Sequence, residues 1–227
     1  MAKRTAKMVI GTVVSTVAWI GAPFAGAGRL DWDRAWICIA LYSLSMPVLG
    51  VVVRHLNPAV LEARKQWLHP NTKRFDKVFL AAYLPLIYLQ LVVAGLEVVR
   101  LRWSSMSFWT VYGGALLFIL SLAMVGWSLA ANRFAENTVR IQTDRGHEVV
   151  ASGPYRIVRH PMYAGSVLMY VATALILGSV WALAISGVIA ILFVWRTAME
   201  DRVLRAELPG YAEFTTQTRY RLFPALW

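Results

Sequence analysis

Six apolar runs, near residues 8–27, 35–53, 78–98, 108–131, 163–178 and 179–198, constrain what this chain can fold into more than any other feature. Segments of about 18 or more apolar residues cross the hydrocarbon core of a bilayer as helices. The composition agrees: 58% of the 227 residues are hydrophobic and only 15% are charged, too few for a soluble domain of this length. The expected fold is therefore an all-α integral membrane protein with about six transmembrane helices. The fifth run is the shortest. Only Gly178-Ser179 separates it from the sixth, so the pair is expected to form a C-terminal helical hairpin. The first run carries Lys3, Arg4 and Lys7 before it and Ala25-Gly26-Ala27 at its end, the form of a cleaved signal peptide. It is long for one, and its removal would leave an odd number of spans, so it is expected to stay as a helix.

Lys and Arg set the expected orientation. With the N-terminus inside, the internal segments hold Lys3, Arg4, Lys7, Arg54, Arg64, Lys65, Lys73, Arg74, Lys77, Arg133, Arg140, Arg145, Arg156, Arg159, Arg196, Arg202, Arg205, Arg219 and Arg221, 19 of the 23 basic residues; the other face holds Arg29, Arg34, Arg100 and Arg102. Both termini are thus expected in the cytoplasm, in the inner (plasma) membrane. The asymmetry accounts for the net charge of +11 through anionic lipid headgroups, with no nucleic-acid partner needed. Trp32, Trp36, Trp103 and Trp109 suit an aromatic belt at the interfaces. Cys38, the single cysteine, reads as a small apolar core residue. His55, His69, His147 and His160 show no metal-ligand spacing, so no metal is expected.

Two internal loops carry information. In the first, Asn57 is placed to cap and Pro58 to open a short helix through Trp67, an interfacial anchor or a lid over a site. In the second, Thr138 to Thr143 alternates like a strand, Asp144-Arg-Gly146 reads as a turn, and His147 to Val150 reads as a returning strand. Irregular backbone near a membrane persists where protein or a cavity satisfies it, so this loop is a candidate ligand surface.

The densest polar segment is Gly153-Pro-Tyr-Arg-Ile-Val-Arg-His-Pro-Met-Tyr-Ala-Gly165, directly before the fifth apolar run. A second cluster, Arg196-Thr-Ala-Met-Glu-Asp-Arg202, follows the sixth. The hairpin brings the two to one end, where a cytoplasmic pocket is expected. Arg196 and Glu200, four residues apart, share a helix face, as an internal salt bridge or as ligand-binding groups.

His147-Glu-Val-Val150, Gly153-Pro-Tyr155, Arg159-His-Pro-Met-Tyr163-Ala-Gly165, Arg196-x-x-x-Glu200-Asp201, Leu208-Pro-Gly-Tyr211-x-x-Phe214 and Arg219-Tyr-Arg-Leu-Phe-Pro224 together resemble the isoprenylcysteine carboxyl methyltransferase family over residues 132–227. The resemblance implies an integral-membrane enzyme using S-adenosylmethionine, with residues 1–131 supplying transmembrane and interface helices and residues 132–227 the catalytic region of one structural domain. By resemblance, Gln142, His147, Glu148, Val149, Val150, Tyr155, His160, Pro161, Met162 and Tyr163 line the cofactor pocket. Glu200 also binds the cofactor, and Arg196 holds the substrate; these two are the catalytic candidates.

The cofactor's chemistry suits those residues. Its ammonium and ribose need acceptors, for which Glu200 is placed; its carboxylate needs donors, for which His160, Tyr155 and the amides of residues 147–150 are placed. A carboxylate acceptor needs no general base and would use Arg196; an amine acceptor would use Glu200, Asp201 or His160 as base. Under this scheme Arg196→Ala spares cofactor binding and loses methyl transfer. The acidic run is shorter than in the eukaryotic enzymes, so the resemblance fixes the reaction type and leaves the acceptor open among a lipidated protein, a lipid, a small isoprenoid acid and an amine. A membrane NADPH-dependent reductase is the alternative reading; Met162, where such enzymes tend to have Asn, and the Arg196–Glu200 spacing count against it. Arg156 and Arg159 are also open to a simpler reading as lipid-phosphate contacts, and a transporter is disfavoured because no span carries a paired charge near its middle.

Overall fold

The computed structural model describes residues 2–66 and 68–227, with the side chains of residues 2–9 left aside. Trp67 and the basic side chains Lys3, Arg4 and Lys7 thus lie outside the described part. The elements in order are α1 (Ala2–Ala27), α2 (Asp33–Leu56), α3 (Pro58–Arg64), α4 (Arg74–Gly95, running on through a π-helical turn at Leu96–Leu101), α5 (Thr110–Ala131), α6 (Pro161–Leu177), α7 (Val180–Glu207) and α8 (Tyr211–Gln217). Among the described residues, five helices, α1, α2, α4, α5 and α7, are long and apolar enough to cross a membrane. α6 has 17 residues and is apolar. At 1.5 Å per residue it spans about 25 Å, a little short of the hydrocarbon core. The protein is an all-α, multi-pass membrane protein.

Each tight helix contact has a local cause. Gly26 and Gly95 let α1 and α4 meet at backbone distance: a Cβ on either would collide with a carbonyl oxygen, of Val92 and of Pro23 respectively. Gly178 ends α6 with φ +74, and a Cβ there would strike the Arg34 guanidinium. Arg34 donates to Met106 O at 2.7 Å, to Thr110 Oγ1 at 3.2 Å and to Ile176 O at 3.4 Å, tying the end of α6 to the start of α5.

A polar seam joins α4 to its neighbours. Asp76, Tyr83, Gln90 and Glu97 recur at every seventh position. Gln90 donates to Ser186 Oγ at 2.8 Å and to Tyr170 O at 2.9 Å, and the Tyr83 hydroxyl meets that of Tyr170. The Glu97 carboxylate, 1% exposed, accepts from the hydroxyls of Ser104 and Ser179 and from the amides of Val180 and Trp181 at 3.2 and 3.1 Å. Those amides are among the donors that the start of α7 leaves without helical partners. A buried carboxylate there is stabilised by the helix dipole and satisfied by its bonds. At the other end of α4, Asp76 meets Arg196.

Two expectations for the loops need correcting. No strand forms over residues 138–150 among the described residues. The Val139 carbonyl accepts from Lys73 N at 3.0 Å and the Val139 amide donates to Asp76 Oδ2 at 2.7 Å, so the start of α4 takes the bonds that a partner strand would have taken. The turn does occur, as a 3-10 turn at Thr143–Arg145 closed by Gly146 at φ +60. Asn57 makes no side-chain cap to α3; it donates to Leu129 O at 2.8 Å and ties α3 to the end of α5. α3 buries Val60 among Val53, Leu129 and Ala135, and Arg64 donates to Ala135 O at 2.8 Å. It braces the second loop from outside.

Candidate active site

A cleft opens at the end of the bundle where α5, α6 and α7 meet their loops. Gln142, His147, Glu148, Val149, Val150, Tyr155, His160, Met162, Tyr163 and Glu200 all line it. Pro161 does not: it is the buried first residue of α6, and its fixed φ suits the helix entry. Arg196 does not line it either.

The second loop forms one wall. Glu136 is its hub: it receives Arg140 through Nε at 2.7 Å and a second nitrogen at 2.8 Å, and Arg145 approaches at 3.4 Å. Arg140 also reaches Asp144 at 2.6 Å, and these carboxylates raise the pKa of its guanidinium. Gln142 donates to Phe134 O at 2.7 Å and is 2% exposed, so its side chain shapes the wall from within. The Gln142 amide donates to His147 Nδ1 at 3.3 Å. An accepting Nδ1 assigns the proton of the neutral ring to Nε2. Burial lowers the His147 pKa below 6.5, more strongly than the Glu200 and Glu136 carboxylates raise it, and Arg140 and Arg145 also lower it.

The floor comes from α6 and α7. Tyr163 donates its hydroxyl to Glu200 Oε2 at 2.5 Å, and the His160 ring stacks on the Tyr163 ring, with centroids 5.6 Å apart and planes 10° apart. Glu200 is the one pocket-lining carboxylate with no cation in ion-pair range among the described residues: Glu136 has Arg140, and Glu148 has Arg133 at 2.9 Å. Tyr155, Leu208, Tyr211 and Phe214 cluster with Val149, Val150 and Leu204 as an apolar side wall. Burial raises the Tyr155 pKa, so its hydroxyl stays protonated.

The adjacent acids Glu200 and Asp201 part company. One helical step turns Asp201 away from the cleft into a buried cluster. It pairs with Arg159 at 2.8 Å and Arg221 at 3.1 Å, accepts from Tyr211 at 2.9 Å, and lies 3.5 Å from His160 Nε2. Arg159 also donates to Thr218 O and Arg219 O at 2.8 and 2.7 Å. Arg159 is therefore a buried tie between the start of α6, α7 and the C-terminal segment, with its donors turned to protein acceptors, whereas Arg156 is exposed. The His160 side chain does not cap α6.

Arg196 has partners other than the expected one. No Arg196–Glu200 salt bridge forms. Its Nε lies 2.9 Å from Asp76 Oδ1, without the alignment of a hydrogen bond, and it donates to Asn137 O at 3.0 Å. Its faces lie against the rings of Phe79 and Tyr163, at 4.5 and 4.9 Å. Phe134, Glu136, Val139, Leu204 and Phe214 are lining residues that sequence reasoning did not single out as site residues. Only the Leu208-Pro-Gly-Tyr211-x-x-Phe214 motif offered a signal for any of them, for Phe214.

Residues 109–208 match the phospholipid methyltransferase family. The match spans the second loop, α6, α7 and every cleft-lining residue except Tyr211 and Phe214, and agrees with the methyltransferase resemblance carried by the sequence motifs. The chain is also similar to the cobalt-zinc-cadmium resistance protein CzcN of Cupriavidus metallidurans, with 33% identity over 114 residues, 48% of this chain and 50% of that protein. It thus spans about half the length of this curated relative.

Proposed function

We propose that the protein transfers a methyl group from S-adenosylmethionine to a lipophilic, membrane-associated acceptor, with residues 132–227 forming the cofactor site and residues 1–131 the membrane scaffold. The observation that carries this reading is the cleft itself: ten of the expected site residues converge on it, among them Glu200, a carboxylate with no cationic partner among the described residues. The donor set fits the cofactor. Glu200 is placed to accept from its ammonium or face its sulfonium, His147 Nε2–H and the backbone of residues 147–150 to meet its carboxylate, and the Leu204, Leu208 and Phe214 side chains to pack on its adenine. When bound, the cofactor supplies an electrophilic methyl group on a sulfonium.

The chain's own contribution is position. Methyl transfer needs nucleophile, methyl carbon and sulfur in line, and holding that geometry accounts for most of the acceleration. Tyr163 fixes the direction of the Glu200 carboxylate, His160 stacks behind it, and the apolar wall keeps water from competing with the acceptor. A carboxylate acceptor held by Arg196 would require that arginine to leave Asp76. By the distribution of Lys and Arg, the cleft faces the cytoplasm with both termini.

The test is calorimetric binding of S-adenosylhomocysteine to the detergent-purified protein, with NADPH as comparison ligand. Binding of S-adenosylhomocysteine alone is expected, and Glu200→Ala and His160→Ala are each expected to abolish it. Binding of NADPH alone, or of neither ligand, overturns the proposal.

A further inference from the structure

Arg196 is placed to act on the cleft from behind rather than inside it. Its guanidinium lies between the Phe79 ring of α4 and the Tyr163 ring of α6. Its charge is met by Asp76, and one of its nitrogens is bound to the Asn137 carbonyl. Asp76 in turn holds the Val139 amide, so the pair grips the second loop at residues 137 and 139. Both charged groups are buried, Asp76 at 0% and Arg196 at 6% exposed. On its other side, Tyr163 presents its hydroxyl to Glu200. The order through space is Phe79, Arg196, Tyr163, Glu200, with Asp76 closing the arrangement from α4.

We infer that Asp76 and Arg196 are positioning residues that fix the Tyr163–Glu200 pair, so that Arg196 sets cofactor affinity through the tyrosine and does not serve as the anion anchor of the acceptor. The physical reasons are its pairing with Asp76 and its place between two aromatic rings. A cation stacked on an aromatic ring restrains that ring, the more so when both are desolvated. A guanidinium already paired with a buried carboxylate has little attraction left for a second anion, and parting the pair would leave Asp76 as an uncompensated buried charge. The acceptor's reacting group therefore needs no carboxylate to satisfy this arginine. Asp76 and Phe79 lie outside the family-matched residues 109–208, so this support is contributed by the N-terminal half of the chain.

The inference rests on the proposed cofactor site, and S-adenosylhomocysteine binding tests it without knowledge of the acceptor. Affinities would be measured for the wild type, Arg196→Met, Tyr163→Phe and the double variant. Each single change is expected to weaken binding about tenfold, and the double variant to bind no worse than about twofold below the weaker single, because both act through one hydroxyl–carboxylate contact. Losses that multiply in the double variant would indicate independent structural damage and overturn the inference. An Arg196→Met variant that binds within about twofold of wild type overturns it too, and restores an acceptor-holding role. Should Arg196→Met fail to fold because Asp76 is left unpaired, Asp76→Leu/Arg196→Met removes both charges. That variant is expected to fold and bind about tenfold more weakly, and wild-type affinity in it sinks the inference. A wild-type protein that binds no S-adenosylhomocysteine overturns the site reading itself, and this inference with it.

Discussion

At the scale of single residues, the chemistry depends on which way neighbouring side chains point. Glu200 and Asp201 are adjacent acids, yet one faces the cleft and the other is buried among Arg159, Arg221 and Tyr211. The sequence showed that both lie beside a polar cluster; the turn of α7 decided which is free. His147 makes a prediction at this scale. Its Nδ1 accepts from the Gln142 amide, and protonation would set N–H against N–H. With its folded pKa lowered by burial, the unfolded chain takes up the proton first. The contribution of the neutral ring is therefore fully present above about 6.5, the unfolded value, and lost as pH falls through the lower folded value. Melting temperature and S-adenosylhomocysteine affinity should both fall across that acid range. The His147→Phe variant should lose this acid limb of the binding profile, and an unchanged limb would show that another group titrates there.

At the scale of elements, the long helices were legible from apolar run length, and Pro58 marked the start of α3. The second loop was not legible. Thr138–Thr143 alternates as a strand does, but its polar backbone bonds to Lys73 and Asp76, partners more than sixty positions earlier that no local pattern reveals. Asn57 failed as a cap for the same kind of reason, since the Leu129 carbonyl competes for its side chain. The seven-residue spacing of Asp76, Tyr83, Gln90 and Glu97 takes its meaning only from α6 and α7 beside it. Glu97 serves the start of α7. Glu97→Leu should strand the Ser104 and Ser179 hydroxyls and two amides, destabilising the detergent-solubilised protein by about 2 kcal/mol or more in thermal melting. S-adenosylhomocysteine affinity should stay unchanged, because the cleft is at the other end of α7. A loss of affinity without loss of stability would place Glu97 in the site's function instead.

At the scale of the whole molecule, the distribution of basic residues predicts orientation. In a Cys38→Ser background, Glu213→Cys at the cleft end should resist an impermeant maleimide added to intact spheroplasts, and Arg102→Cys at the opposite end should react. The reverse pattern would turn the cleft outward. Run length, composition and the Lys and Arg distribution determined by themselves that the chain is helical, multi-pass and asymmetrically charged, because the bilayer acts on each segment through its own hydrophobicity and flanking charge. The motifs also brought the second loop and both ends of the C-terminal hairpin to one place, because a two-residue corner leaves α6 and α7 no other arrangement. Only the tertiary structure decided the partners of the buried charges. Arg196 could pair with Glu200 one turn away or with Asp76 on α4, and desolvation makes the better-enclosed partner win. Which carboxylate then remains open in the cleft depends on the packing of α4, α6 and α7 together, and no single segment encodes that packing.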